Sequence, residues 1–245
     1  MSHDQEAFSD HRRALLYALA FILATAAVFV VVGIRPSDPP IQPFDNAVLR
    51  AVDSIRNTPL TFIAKVLNVI GGGLVTIPLR IIVAGYLALR RRWRALTAWL
   101  MTWLFAEVLL TVFKTLYDRP RPAHPLVSTT GASFPSGHAV AASATAVALV
   151  LALMPPGPRR RKWEIIAAVF AFVMALSRVY LNAHWFSDVV AGTLLGTGIA
   201  IACAALATEA RDVLLRRRAA RGPDGPQAVV GSRTVPGVPD GSSAS

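Results

Sequence analysis

One cysteine, Cys203, stands among 245 residues, so neither an intramolecular disulfide nor a cysteine-held zinc is available. Acidic residues are also scarce, 14 against 25 lysines and arginines, and they form no cluster of the kind that holds Mg2+ or Ca2+. No internal repeat is visible, which counts against a transporter built from inverted halves. Charged residues of either sign make up only 16% of the chain. Hydrophobic residues make up 54% and mean hydropathy is +0.50, a profile outside that of ordinary soluble domains.

What is abundant is apolar length. Runs near the 20 residues that cross a hydrocarbon core occur at Ala14 to Ile34, Leu74 to Leu89, Trp93 to Tyr117, Ser136 to Met154, Trp163 to Leu181 and Val189 to Thr208. The expectation is an all-α polytopic membrane protein with six transmembrane helices. Its organisation divides into an N-terminal cytoplasmic tail (1–13), a six-helix domain (14–210) and a basic, then disordered, cytoplasmic tail (211–245). Arg12-Arg13 ahead of an apolar run also resembles an export signal, but five further spans favour a retained first helix.

The net charge of +11 invites a nucleic-acid reading, which the placement of the charge opposes. Arg12 and Arg13, then Arg90, Arg91, Arg92 and Arg94, then Arg159, Arg160, Arg161 and Lys162, then Arg211, Arg216, Arg217, Arg218 and Arg221 hold 15 of the 25 basic residues. These clusters fall on alternate connections, as the positive-inside rule requires when both termini are cytoplasmic, and none is interleaved with stacking aromatics. The other connections, Arg35 to Gly73, Asp118 to Pro135 and Asn182 to Asp188, then face outward.

Within the first of these, Phe44, Val48, Leu49, Val52 and Ile55 recur at helical spacing opposite Asp45, Arg50, Asp53 and Arg56, which suits an interfacial helix. A second short helix is expected from Leu60 to Ile70, between Pro59 and Gly71-Gly72-Gly73. Gly192 and Gly196 form a G-x-x-x-G read as intramolecular helix packing.

Three polar clusters gather at the outward ends of the spans. In KTLYDRPRP, Lys114 closes a span and Arg121 is held between Pro120 and Pro122. In FPSGHAV, Ser136 is a candidate N-cap, Gly137 permits close approach, and His138 stands at a helix start suited to anions. In SRVYLNAHWFSD, Arg178 ends a span, while His184 and Asp188 lie four residues apart on one helix face. A carboxylate there can hold one imidazole proton and leave the other nitrogen as a nucleophile. Each cluster alone admits a structural reading: snorkelling cations, a capped helix, an interfacial histidine. Together they provide what phosphoryl transfer needs, namely cations and N–H donors, an in-line nucleophile and an opposing acid. Asp118 is expected to pair with a neighbouring arginine, Arg119 and His124 are assigned no role, and Glu107 is an unexplained intramembrane carboxylate.

The motifs K-x6-R-P (Lys114, Arg121, Pro122), P-S-G-H (Pro135 to His138) and S-R-x5-H-x3-D (Ser177, Arg178, His184, Asp188) resemble the three signatures of the type 2 phosphatidic acid phosphatase superfamily. The resemblance implies a metal-independent, cofactor-free phosphatase in the plasma membrane with an extracytoplasmic active site. His184 would attack phosphorus, Asp188 would orient it and His138 would protonate the leaving group. Lys114, Arg121, Ser136, Gly137 and Arg178 would bind phosphate. The favoured substrate is undecaprenyl (polyprenyl) diphosphate, with phosphatidic acid or phosphatidylglycerol phosphate as the alternative. A glycolipid phosphatase or a non-enzymatic lipid transporter ranks lower. The vanadium haloperoxidases of the same superfamily are soluble, which this chain is not.

Overall fold

The computed structural model describes residues 3–220. It contains α1 (His3–Gly33), α2 (Gln42–Ser54), α3 (Thr58–Ile70), α4 (Gly73–Leu89), α5 (Trp93–Tyr117), α6 (Gly137–Leu153), α7 (Pro158–Tyr180) and α8 (Phe186–Ala220). No strand occurs among the described residues, so the all-α expectation is met. The expected boundaries at 13 and 210 fall inside α1 and α8, and the segment expected to be disordered, 221–245, lies outside the described residues.

Length and composition qualify some of the six expected spans and leave the others short. Trp93–Tyr117, Pro158–Tyr180 and Phe186–Ala210 are each long and apolar enough to cross a membrane, and α3 with α4, bent by 44°, qualifies as one more. Leu19–Gly33 and Gly137–Leu153 are shorter apolar helices. The physical reason is clearest for α6. At 17 residues it is about 26 Å long against a core of about 30 Å, but it is packed against α4, α5, α7 and α8 and has little need to meet lipid over its whole length.

Small residues make that central position possible. The buried face of α6 is mostly small, with Ala139, Ala142, Ser143, Ala144, Thr145, Ala148 and Ala152 beside Val140 and Val150, and α8 answers with Gly192 and Gly196. A Cβ on Gly192 would lie 2.6 Å from the Ser136 carbonyl oxygen, and one on Gly196 would lie 2.5 Å from that of Val140. The G-x-x-x-G therefore packs within the molecule, letting two backbones touch where a side chain would separate them. Large apolar side chains point outward instead, among them Leu74, Phe62, Leu116 and Phe172, as suits a lipid-facing surface.

Helix α2 lies along the bundle with Val48, Leu49 and Val52 packed on Ala139, Ala175, Val179 and Val189. Asp45 was placed by pattern on the polar face, yet it is 1% exposed. It precedes Val48 and Leu49 by three and four residues, so helix geometry carries it to the same buried stripe. Asn57 caps α3 by accepting from the Leu60 N–H at 2.9 Å, and Gly71 and Gly72 mark the break into α4.

Glu107 finds a partner on a neighbouring helix: Arg80 of α4 donates to it at 2.7 Å and to Thr145 of α6 at 3.0 Å. Cys203 is buried and free.

Candidate active site

The three sequence clusters meet at one end of the bundle. Lys114, in the last turn of α5, donates to the Ala132 carbonyl at 2.6 Å. Arg121 donates to the carbonyls of Gly131 (2.9 Å), Thr130 (2.8 Å) and Ala132 (3.1 Å), so the loop that follows it is wrapped around its guanidinium. The same side chain donates to the Ala183 carbonyl at 2.7 Å and approaches His184 Nε2 at 3.2 Å. This joins the first cluster to the third. Burial lowers the Arg121 pKa and the Asp188 carboxylate partly restores it, leaving a cation beside the imidazole.

His184 is 3% exposed. Its Nδ1 lies 2.8 Å from the Ser133 carbonyl, which can only accept, so Nδ1 carries the proton and Nε2 keeps a lone pair. The expected carboxylate partner is farther off, with Asp188 Oδ2 3.6 Å from Nδ1. The Asp188 oxygens are taken instead by Ser133 Oγ (2.5 Å), the Trp185 N–H (2.9 Å) and Arg119 Nη1 (2.6 Å). Burial pushes the His184 pKa down to about 4; the nearby Asp188 opposes this, while Arg121 and Arg178 reinforce it. At pH 7 the ring is therefore neutral, the form a nucleophile requires.

Ser136 occupies the N-cap position of α6 but its side chain makes no capping bond. Its N–H donates to the Asp188 carbonyl at 3.1 Å, and its Oγ is buried with no partner. Gly137 has Leu110 close by, 3.3 Å from where a Cβ would be. Arg178 is 2% exposed; its Nη1 donates to Asn68 Oδ1, and its Nε is a second buried donor without a partner. The Asn68 carbonyl accepts from His138 Nε2 at 3.1 Å, so one residue of α3 touches both the arginine and the second histidine. Arg121 and Arg178 both act electrostatically on both imidazoles, and Lys114 acts on His138. All eight expected site residues thus belong to one neighbourhood, and its orphaned buried donors are groups an anionic phosphate would satisfy.

Sequence reasoning missed three participants. Arg119 is 1% exposed and bridges Asp45 and Asp188. Its position between αL-capped Asp118 and Pro120 marked a turn, not a buried cation. Asn68 carried no sequence signal beyond a polar residue in an apolar helix. Asp45 had one, the helical spacing described above. Asp118, expected to pair with an arginine, makes no ion pair among the described residues; it is exposed and ends α5.

Residues 93–212 match the PAP2 superfamily. Phosphatidylglycerophosphatase B of Bacillus subtilis (strain 168) is 33% identical over 164 residues, covering 64% of this chain and 79% of that protein. The chain belongs to the PAP2 superfamily. An undecaprenyl-diphosphatase of Sulfolobus acidocaldarius is 43% identical over a shorter stretch of 68 residues, 27% of this chain and 30% of that one. The fold agrees with a crystal structure of a Bacillus subtilis transmembrane PAP2 phosphatidylglycerolphosphate phosphatase (TM-score 0.67, 27% identity, 80% of this chain and 96% of that chain). This PAP2 protein is accordingly a membrane protein of the lipid phosphatase family.

Proposed function

We propose that this PAP2 protein hydrolyses a lipid phosphomonoester or diphosphate through a phosphohistidine on His184. The observation that carries the reading is the state of His184, a neutral ring with Nδ1–H held by a carbonyl and Nε2 beside Arg121. Nε2 attacks phosphorus and forms the N–P bond as the bond to the leaving oxygen breaks. His138, protonated once an anionic phosphate is bound beside it, gives its proton to that oxygen. It then takes a proton from the water that cleaves the N–P bond, which releases phosphate and returns His184. Lys114, Arg121 and Arg178 neutralise the phosphoryl oxygens, and the Ser136 hydroxyl and the N–H groups at the start of α6 donate to them. No step calls for a metal.

Six membrane passages, cytoplasmic termini and a site at the outer face of the plasma membrane are the topology the basic clusters favour. Two substrates lead. Polyprenyl diphosphate has the support of the similarity to an undecaprenyl-diphosphatase. Phosphatidylglycerophosphate has that of a relative matched over 79% of its length.

Phosphate release from a panel of these lipids and phosphatidic acid, by purified protein and in sealed right-side-out vesicles with a water-soluble short-chain analogue, tests the reading. One lipid should lead in kcat/KM, the analogue should be cleaved without permeabilisation, and His184→Ala should lose on the order of 10^3-fold or more in turnover. Release of no phosphate from any lipid would point to a binding protein instead.

A further inference from the structure

The carboxylate beside His184 is already paired with an arginine. Arg119 Nη1 donates to Asp188 Oδ1 at 2.6 Å and to Ser187 Oγ at 2.7 Å, while Nη2 donates to Asp45 Oδ2 at 2.8 Å and Gln42 Oε1 at 2.6 Å. Ser187 closes the ring: its N–H and hydroxyl donate to the two Asp45 oxygens at 2.8 and 2.6 Å. Arg119 and both carboxylates have side chains that are 0% exposed. Asp45 lies on α2, outside residues 93–212 and outside the three signatures.

We propose that Arg119, braced by Asp45, is a positioning residue for phosphoryl transfer: it holds Asp188 as a fixed, already paired anion, so that the His184 proton stays on Nδ1, donated to the Ser133 carbonyl, and Nε2 faces the phosphate. The proposal rests on the His184 reading given above. A guanidinium suits the task because its planar fork can serve two carboxylates at once, one through each terminal nitrogen, which a lysine ammonium on a flexible stem cannot reproduce.

Two anions flank Arg119, so the buried cluster carries one unbalanced negative charge, which faces the cations of the phosphate cradle across His184. The groups acting on this region come from every side. Arg119 is in the loop after α5, Asp45 on α2 and Lys114 on α5. Arg121 lies in the same loop as Arg119, and Arg178 on α7 acts on His184. If Arg119 is removed, Asp188 becomes an unpaired buried carboxylate next to an imidazole, and the inexpensive remedy is to protonate that imidazole. A protonated His184 has no lone pair to attack with.

The test is a 15N-histidine titration of His184 in detergent-solubilised wild type, Arg119→Gln, Asp45→Asn and the charge-balanced double variant Arg119→Gln/Asp45→Asn. The double variant keeps the local net charge of the wild type, so it guards against loss of folding in the single arginine variant. The expected result is an upward shift of one unit or more in both variants lacking Arg119, with the acid limb of kcat/KM rising in parallel and activity partly recovered at higher pH. Asp45→Asn alone leaves Arg119 on Asp188 and should produce no rise. A purely structural clamp would lower the melting temperature and leave the His184 titration unmoved. That result in the double variant, or a rise of the same size in Asp45→Asn, overturns the proposal. The titration reads the imidazole directly, so it stands or falls separately from the phosphatase assay.

Discussion

At the scale of single residues, the site works by deciding where protons are not. His184 keeps one proton on Nδ1, donated to a carbonyl, and none on Nε2, and burial makes a second proton costly. That cost also bears on stability. The folded ring titrates near 4 and an unfolded one near 6.5, so between those values the unfolded chain binds more protons. Stability is then complete above about pH 6.5 and falls as the pH is lowered towards 4, by about 3 kcal/mol for a shift of this size. Thermal unfolding in micelles should show the midpoint falling over that window in wild type and falling less in His184→Gln. Equal pH dependence in the two proteins would contradict the burial argument.

The same scale explains what could be read in advance. Lys114, Arg121, Ser136, Gly137, His138, Arg178, His184 and Asp188 were legible because their spacing within three short motifs is tied to the chemistry. Arg119 and Asn68 were not, since each acts through a partner more than 65 residues away in sequence, Asp188 at a separation of 69 and His138 at 70. Nothing local in the chain records such a pairing. The further partners of the Asp188 side chain were hidden for the same reason: Arg119 and Ser133 bond to its oxygens, and the Ser133 carbonyl lies nearer the histidine Nδ1 than the carboxylate does.

Between elements, the decisive contact is α6 against α8. Asp188 lies one turn before Gly192, and the Ser136 N–H bonds to the Asp188 carbonyl, so the helix carrying the nucleophile's neighbour and the helix carrying P-S-G-H are registered by a glycine. A methyl group on Gly192 would meet the Ser136 carbonyl at 2.6 Å, whereas one on Gly85 of α4 would meet nothing within 4 Å. Gly192→Ala should therefore destabilise by about 1–3 kcal/mol and lose activity beyond what its folded fraction accounts for. Gly85→Ala should be neutral or slightly stabilising, in line with alanine's better helix propensity. Melting curves alongside specific activity check both, and a harmless Gly192→Ala would show that this contact does not set the register. Helix content and most helix positions were legible from apolar length and from Gly and Pro breaks. The number of spans is not fixed by length and composition alone, because α6, a short helix enclosed by others, does not need to match the core thickness.

Over the whole molecule, the arrangement is an apolar exterior for the bilayer, small residues inside for close helix packing, and the buried charges of the site gathered at the end where the loop after α5 meets the starts of α6 and α8. The helix pair α3–α4, bent at Gly71-Gly72, brings Asn68 to Arg178 and His138, so a segment outside the superfamily match contributes to the same pocket. The central claim is that this pocket forms a covalent bond from phosphorus to His184 Nε2. Rapid quenching of a single turnover with 32P-labelled lipid phosphate tests it most directly. The account predicts an acid-labile, base-stable label that maps to the peptide containing His184 and is absent from His184→Ala. Label on any other residue, or label retained in that variant, would contradict it.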